Sequence, residues 1–206
     1  MDWVDWHGAY ADPSSSLSRR LTAVREQIRL ALDAAPPGPI PVVSMCAGDG
    51  RDLLGVLTDH PRAADVTARL VELDPTLAER AREAAAALPA KVEVVTGDAA
   101  QTDAYAGAVP ARLALFCGVF GNISDADVAA TVAAAPEFVA PGGVVVWTRH
   151  REEPDLVPRM LDWFAAAGFE PLFVSAQDAG FGVGAHRYAG PGHALVPGRR
   201  LFTFQR

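Results

Sequence analysis

The feature that most constrains this chain is an alternation of two periodicities. Short apolar runs rich in β-branched residues recur with helix-like stretches between them. The five runs are centred on Val42-Val43, Leu70-Val71, Val92-Val95, Leu113-Phe116 and Val144-Trp147. Strands that alternate with helices form βαβ units and a mainly parallel sheet, with helices on its faces. Right-handed crossovers carry the loops that follow the strands to one edge. Cys46 to Gly50, Glu72, Asp98 and Cys117 are therefore expected to line one crevice.

The punctuation between runs agrees. Ser14-Ser15-Ser16 offers caps to a helix whose apolar positions Leu21, Val24, Ile28 and Leu32 recur at three and four residues. Ala35-Pro36-Pro37-Gly38-Pro39 stops it. Asp74-Pro75 is an N-cap followed by proline at the first helical position, opening a helix over Leu77 to Leu88. Ser124 and Asp127 form a capping pair for a helix from Asp125 to Val139, which Pro141-Gly142-Gly143 breaks. A helix over 154–167 carries Leu156, Met160, Trp163 and Phe164. Phe169 to Val174 and Val183 to Tyr188 read as a terminal pair of strands, with Leu201 to Phe204 as one more. The expected organisation is an N-terminal segment and helix over residues 1–37, and a main domain over 38–206.

Composition narrows the function. The net charge of -7 argues against a protein that tracks nucleic-acid phosphates, which needs a basic face. No apolar run is long enough for a membrane span. The acidic, aromatic start Met1-Asp2-Trp3-Val4-Asp5-Trp6 is unlike a signal peptide. Two cysteines, Cys46 and Cys117, without a Cys-x-x-Cys pair, fit a reduced cytoplasmic protein. No His or Cys spacing marks a metal site.

The first strand runs into Cys46-Ala47-Gly48-Asp49-Gly50, a turn in which glycine lets the backbone bend sharply and touch a ligand. A dinucleotide fingerprint wants a third Gly or Ala where Leu53 stands, and Asp49 and Asp52 put negative charge where a pyrophosphate would lie. Both points disfavour a nicotinamide cofactor. Glu72 lies 22 residues after Gly50, at the end of the second strand. It is either a carboxylate for a ribose diol or a solvated strand end. Asp98 either accepts a hydrogen bond from the exocyclic amine of a base or makes a plain Gly-Asp turn.

Together, Cys46-Ala47-Gly48-Asp49-Gly50, Glu72-Leu73-Asp74-Pro75, Val95-Thr96-Gly97-Asp98-Ala99 and Pro141-Gly142-Gly143 resemble the class I S-adenosylmethionine-dependent methyltransferases, over residues 40–175. The resemblance implies a Rossmann-like α/β fold: a doubly wound, mostly parallel seven-stranded sheet with helices on both faces and the last strand antiparallel. It implies S-adenosyl-L-methionine as cofactor and S-adenosyl-L-homocysteine as product. The loop of Cys46, Ala47, Gly48 and Gly50 would meet the methionine part, and Glu72 the ribose. Leu73, Gly97, Asp98 and Ala99 would hold the adenine, with Cys117 and Gly118 beneath the sulfonium. The sequence departs from the family in having Ser44 where an acidic residue is usual and Cys46 where glycine is usual. Asp49 is the expected substitute for the missing acid, and Cys46 is expected to hold ordinary backbone angles. Valine at Gly48 is expected to block the ligand and spare the fold. The thiols of Cys46 and Cys117 are either neighbours beside the cofactor or small buried hydrophobes.

Trp3, Trp6, His7, Tyr10 and Asp12 belong either to a lid over the site or to a segment packed on the sheet edge. His7, Tyr10 and His150 are the candidate catalytic residues, as acid–base groups toward the acceptor. His186 reads as structural. Asn122, in the loop after the fourth strand, either orients an acceptor or caps the next helix. The expected function is methyl transfer to oxygen, nitrogen or carbon of a small-molecule acceptor, without nucleic acid or membrane. A cofactor-binding, non-catalytic regulatory or partner protein of the same fold is the alternative. The aromatic N-terminal segment is the one feature suited to a homodimer.

Overall fold

The computed structural model describes residues 15–205. Helix α1 (Ser16–Ala34) begins at Ser15, whose side chain accepts from the Ser18 amide at 3.1 Å. Its stripe of Val24, Ile28 and Leu32 is at most 3% exposed. Burying three such side chains contributes roughly 1.5–3 kcal/mol each, more than helix propensity supplies. This helix packs on the sheet, against the layer that holds Val42, Leu115 and Val146.

Seven strands follow, with helices between most of them: β1 (Ile40–Met45), α2 (Leu53–Leu57), β2 (Val66–Glu72), α3 (Pro75–Ala85), β3 (Lys91–Thr96), β4 (Ala111–Phe116), α4 (Asp125–Ala134), β5 (Val139–His150), α5 (Val157–Ala166), β6 (Phe169–Val174) and β7 (Phe181–Tyr188). The sheet order is β3-β2-β1-β4-β5-β7-β6. Every neighbouring pair is parallel except those made by β7, which runs antiparallel to both β5 and β6. The chain therefore leaves β1 in one direction toward β2 and β3, and resumes on its other side with β4. Ligands of open α/β sheets bind at the carboxyl ends of the strands where the order switches in this way.

Asp74 caps α3 as expected, its carboxylate accepting from the Thr76 and Leu77 amides, with Pro75 following. Ser124 accepts from the Asp127 amide at 3.1 Å to start α4. Three assignments change. The helix expected to run from Asp125 to Val139 ends at Ala134, and Val139 opens β5. Pro141-Gly142-Gly143 lies inside β5, where the pairing with β4 shifts register between Ala111 and Leu113. Glycine at φ 79° at position 142 absorbs that irregularity. The strand also runs on to His150, so His150 ends β5 and pairs with Phe181. Leu201 to Phe204 forms no strand. It makes an isolated bridge between Phe204 and Ile123, with another between Arg200 and Gln101.

Side chains alternate between two cores. One face packs Met45, Tyr105, Phe116, Phe138, Trp147 and Phe164 under α4 and α5. The other packs Ile28, Leu32, Leu70, Leu115 and Val146 under α1 and α2. Trp147 lies so close to β7 that a β-carbon at Gly184 would come within 2.3 Å of its ring. Its indole N–H donates to His186 Nδ1 at 3.1 Å, and the His186 ring stacks on Phe164 at 4.6 Å. His186 is 1% exposed, and burial lowers its pKa from 6.5 to about 4.

Between those two values the unfolded chain binds a proton at position 186 that the folded chain does not. Stability is therefore full above pH 6.5 and falls as the pH drops toward 4, by roughly 3 kcal/mol. Urea unfolding of the parent and His186→Gln from pH 7.5 to 4.5 checks this. The parent is expected to show the steeper loss, and parallel curves would remove His186 as the cause.

Candidate functional site

The loop that leaves β1 turns through three left-handed residues: Cys46 at φ 50°, Gly48 at 57° and Gly50 at 72°. Cys46 thus takes the conformation for which glycine is usual, contrary to the ordinary angles expected of it. The strain costs roughly 1–2 kcal/mol and is offset by packing of the side chain on the Met45, Val71 and Phe116 layer. The positive φ at Gly48 also corrects the expectation for a valine there. A β-branched residue would strain the turn before reaching any ligand, so it does not separate fold from site.

Glu72 organises the crevice. Its Oε2 accepts from the Gly48 amide at 2.7 Å and its Oε1 from the Asp74 amide at 2.9 Å. At 9% exposure it is no solvated strand end. One donor on each oxygen leaves each a lone pair, enough for a diol. Its backbone carbonyl accepts from the Gly97 amide at 2.8 Å, so the loops after β1, β2 and β3 meet at this one residue. Leu73, next in sequence, is 65% exposed at the rim. Asp98 Oδ1 accepts from the Ala100 amide and Oδ2 from Arg200 at 2.6 Å. Ala99 is buried, and its carbonyl accepts from the Tyr105 hydroxyl at 2.9 Å. Of the residues expected to form a cofactor crevice, Cys46, Gly48, Glu72, Gly97 and Asp98 are thus brought together.

On the other side of β1, the Gly118 amide donates to Thr148 Oγ1 at 2.8 Å. A β-carbon at Gly118 would meet open space. Asn122 does not cap α4, a role taken by Ser124; its side-chain amide donates to the Gly118 carbonyl at 2.8 Å and closes the loop on itself. Buried Arg149 donates to the Phe120 carbonyl and faces Asp125 at 3.4 Å; burial lowers its pKa, against the pull of Asp125. His150 borders the same loop, 3.3 Å from where a Gly121 β-carbon would sit, and its Nδ1 accepts from the Glu152 amide at 3.3 Å. His7 and Tyr10, with Trp3, Trp6 and Asp12, lie outside the described residues.

Asp49 does not stand free as a substitute for the missing acid at position 44. Its carboxylate is paired with Arg51 at 2.5 Å. Ser44 is 1% exposed, and its hydroxyl finds no partner among the described residues. Leu53 is fully buried, so packing takes the place where a dinucleotide turn needs a small residue. The two thiols lie on opposite sides of the sheet, Cys46 with the Phe116 layer and Cys117 with the Leu115 layer, so they are not neighbours. Burial raises both thiol pKa values, helped by the charges of Glu72 and Asp98 at Cys46 and of Asp52 at Cys117. No group of three or more metal-ligating side chains occurs among the described residues, and no helix among them is long and apolar enough to cross a membrane. A surface depression of about 510 Å³ lies at the opposite edge of the sheet, around Pro39, Thr67, Lys91 and Glu93.

Three residues that hold the crevice carried no sequence signal: Tyr105, Thr148 and Arg200. Arg200 stands 102 positions from the carboxylate it binds, and no local pattern reports such a contact.

Neither a protein-family model nor a curated protein matches the sequence. Solved structures do match the fold. An O-methyltransferase family protein from Burkholderia thailandensis superimposes with a TM-score of 0.66 at 17% identity, over 85% of this chain and 57% of that one. This chain therefore spans little more than half the length of that protein. A 1,6-didemethyltoxoflavin-N1-methyltransferase from the same organism, with bound 1,6-didemethyltoxoflavin and S-adenosylhomocysteine, gives 0.61 at 17% identity over 91% and 87% of the two chains. The [4+2]-cyclase SpnF gives 0.58 at 15% identity over 83% and 82%. The chain has the class I methyltransferase fold.

With both thiols half-buried and their pKa values raised, an aromatic disulfide reagent at pH 8 is expected to modify Cys46 and Cys117 more slowly in the native protein than in urea. Rapid native labelling of either would contradict its environment as described.

Proposed function

We propose that this protein is an S-adenosylmethionine-dependent methyltransferase acting on a small-molecule acceptor. The observation that carries the reading is the junction at Glu72, where a carboxylate bound to the Gly48 amide stands beside exposed Leu73 and within one loop of Asp98. These residues fit the cofactor chemically. Glu72 keeps acceptor capacity for a ribose diol. Asp98 keeps it for an exocyclic amine, and an uncovered leucine between them suits the face of a base. Gly118 leaves space where a bulky group approaches the ends of β1 and β4.

When bound, S-adenosylmethionine supplies an electrophilic methyl group on a sulfonium. The chain's part is to orient an acceptor in line with that methyl and to exclude water. The wall available for this is the loop from Gly118 to Ile123, closed by Asn122 and held from beneath by Arg149. His150 stands at its edge. With Nδ1 accepting an amide, the neutral ring carries its proton on Nε2, so His150 orients an acceptor by donating to it. His7 and Tyr10 are the proposed acid–base groups from the N-terminal segment. The charge of -7 favours a small acceptor over nucleic acid.

Isothermal titration with S-adenosylmethionine and S-adenosylhomocysteine, beside a reduced nicotinamide control, tests the cofactor. Micromolar binding of the first two and none of the control is expected. Binding of neither would overturn the reading. Glu72→Ala is expected to weaken binding by about 1–3 kcal/mol, since it removes charge-assisted hydrogen bonds and frees the Gly48 amide. Unchanged affinity would mean the ribose lies elsewhere. Release of S-adenosylhomocysteine in the presence of pooled phenols, amines and acidic carbon compounds then tests transfer. Tight binding without turnover over any pool would favour the regulatory alternative.

A further inference from the structure

Residues 195–205 run as a strap without regular secondary structure across the loops that follow β3 and β4. Leu201 and Phe202 anchor it, at 5% and 2% exposure. On the β3 side, the Gly198 amide donates to Asp103, and the Leu201 amide to the Ala100 carbonyl. Thr102 and Arg199 exchange hydrogen bonds, at 3.0 Å in each direction between backbone amide and oxygen. On the β4 side, the Thr203 amide donates to Asp127 and the Gln205 amide to the Asn122 carbonyl. Arg200 leaves this strap toward the crevice. Its guanidinium meets Asp98 Oδ2 at 2.6 Å and, with the Gln101 amide turned to satisfy both its ends, also Gln101 at 3.0 Å.

The pair does little for the fold. Its side chains are 49% and 35% exposed, and surface pairs of this kind contribute roughly 0–1 kcal/mol. The strap is already held by two buried side chains and by backbone bonds on both flanks. The backbone of the loop it touches is held from within, the Gly97 amide donating to the Glu72 carbonyl and the Tyr105 hydroxyl to the Ala99 carbonyl, which leaves the Asp98 side chain to the strap. β3 is an edge strand with exposed or half-buried positions throughout, so no further strand flanks the Asp98 side chain. The Ala100 amide holds one Asp98 oxygen; without Arg200 the other has no partner among the described residues.

We propose that the C-terminal strap is part of the cofactor site, with Arg200 a positioning residue that fixes the Asp98 carboxylate to receive the exocyclic amine of the adenine. The inference rests on the methyltransferase reading above. A carboxylate whose two oxygens are each held by one donor presents its remaining lone pairs in fixed directions. Such a carboxylate accepts an amine and repels the carbonyl of a base that has oxygen in its place. Discrimination between adenine and hypoxanthine is then set by Arg200 as well as by Asp98.

The test is titration of the full chain with S-adenosylhomocysteine and with S-inosylhomocysteine, for the parent, Arg200→Ala and Arg200→Lys. The parent should prefer the adenine compound. Arg200→Ala should weaken the adenine compound about tenfold, leave the hypoxanthine compound nearly unchanged, and so collapse the preference; Arg200→Lys should restore part of it. The melting temperature should hardly move. An equal loss for both ligands, an unchanged preference or tighter adenine binding would each overturn the role of Arg200. If the parent binds neither compound, the methyltransferase reading itself has failed, and that outcome is distinct from the others.

Discussion

The crevice depends on one buried carboxylate. Glu72 takes an amide from the turn after β1 and another from the turn after its own strand, while its carbonyl takes a third from the turn after β3. Hydrogen bonds to a charged group are worth roughly 1.5–3 kcal/mol each, and an amide left unpaired in a half-buried turn costs a similar amount. Three loops are thereby referenced to a single residue, two through its side chain and one through its backbone. This suits a binding edge, because loops are otherwise the most mobile part of a parallel sheet. Cys46 is tolerated at positive φ because the turn is held through the Ala47 amide on the Val71 carbonyl and the Gly48 amide on Glu72, and the thiol finds an apolar layer.

The other half of the edge is built differently. After β4 the loop is closed from within by Asn122 and from below by Thr148 and Arg149 of β5. The register shift in β5 accompanies an unusually long strand that carries Arg149 and His150 to the edge. The two halves are joined by the strap, whose ends touch the β3 loop and the β4 loop. Under the proposed function, two separately supported walls of this kind would serve to align two reactants for a displacement.

The alternation of β-branched runs with amphipathic stretches was enough to read a parallel sheet. Asp74-Pro75, Ser124 and the Val24, Ile28, Leu32 stripe were legible because capping and burial on one helix face act within a few residues. Glu72, Gly48 and Asp98 could be chosen as candidates because right-handed crossovers leave little freedom over which loops share an edge. The same logic misjudged local details. Pro141-Gly142-Gly143 read as a break, yet β5 continues through it as an irregularity, because the pairs on either side, Ala111 with Val139 and Leu113 with Val144, hold the strand in place. Cys46 read as conformationally ordinary, yet the surrounding bonds hold it left-handed.

What the sequence determined by itself is the fold class, the edge to which the loops after the strands are carried and the residues that end each strand there, since all three follow from periodicity and chain handedness. Only the tertiary structure decided how those residues are used. It put Asp49 in a pair with Arg51, separated the two cysteines onto opposite faces, bound Asn122 to the Gly118 carbonyl and brought Arg200 to Asp98. The physical reason is that hydrogen bonds and ion pairs act over a few ångströms in space, whatever the distance along the chain, and a linear pattern carries no record of which distant side chain arrives there.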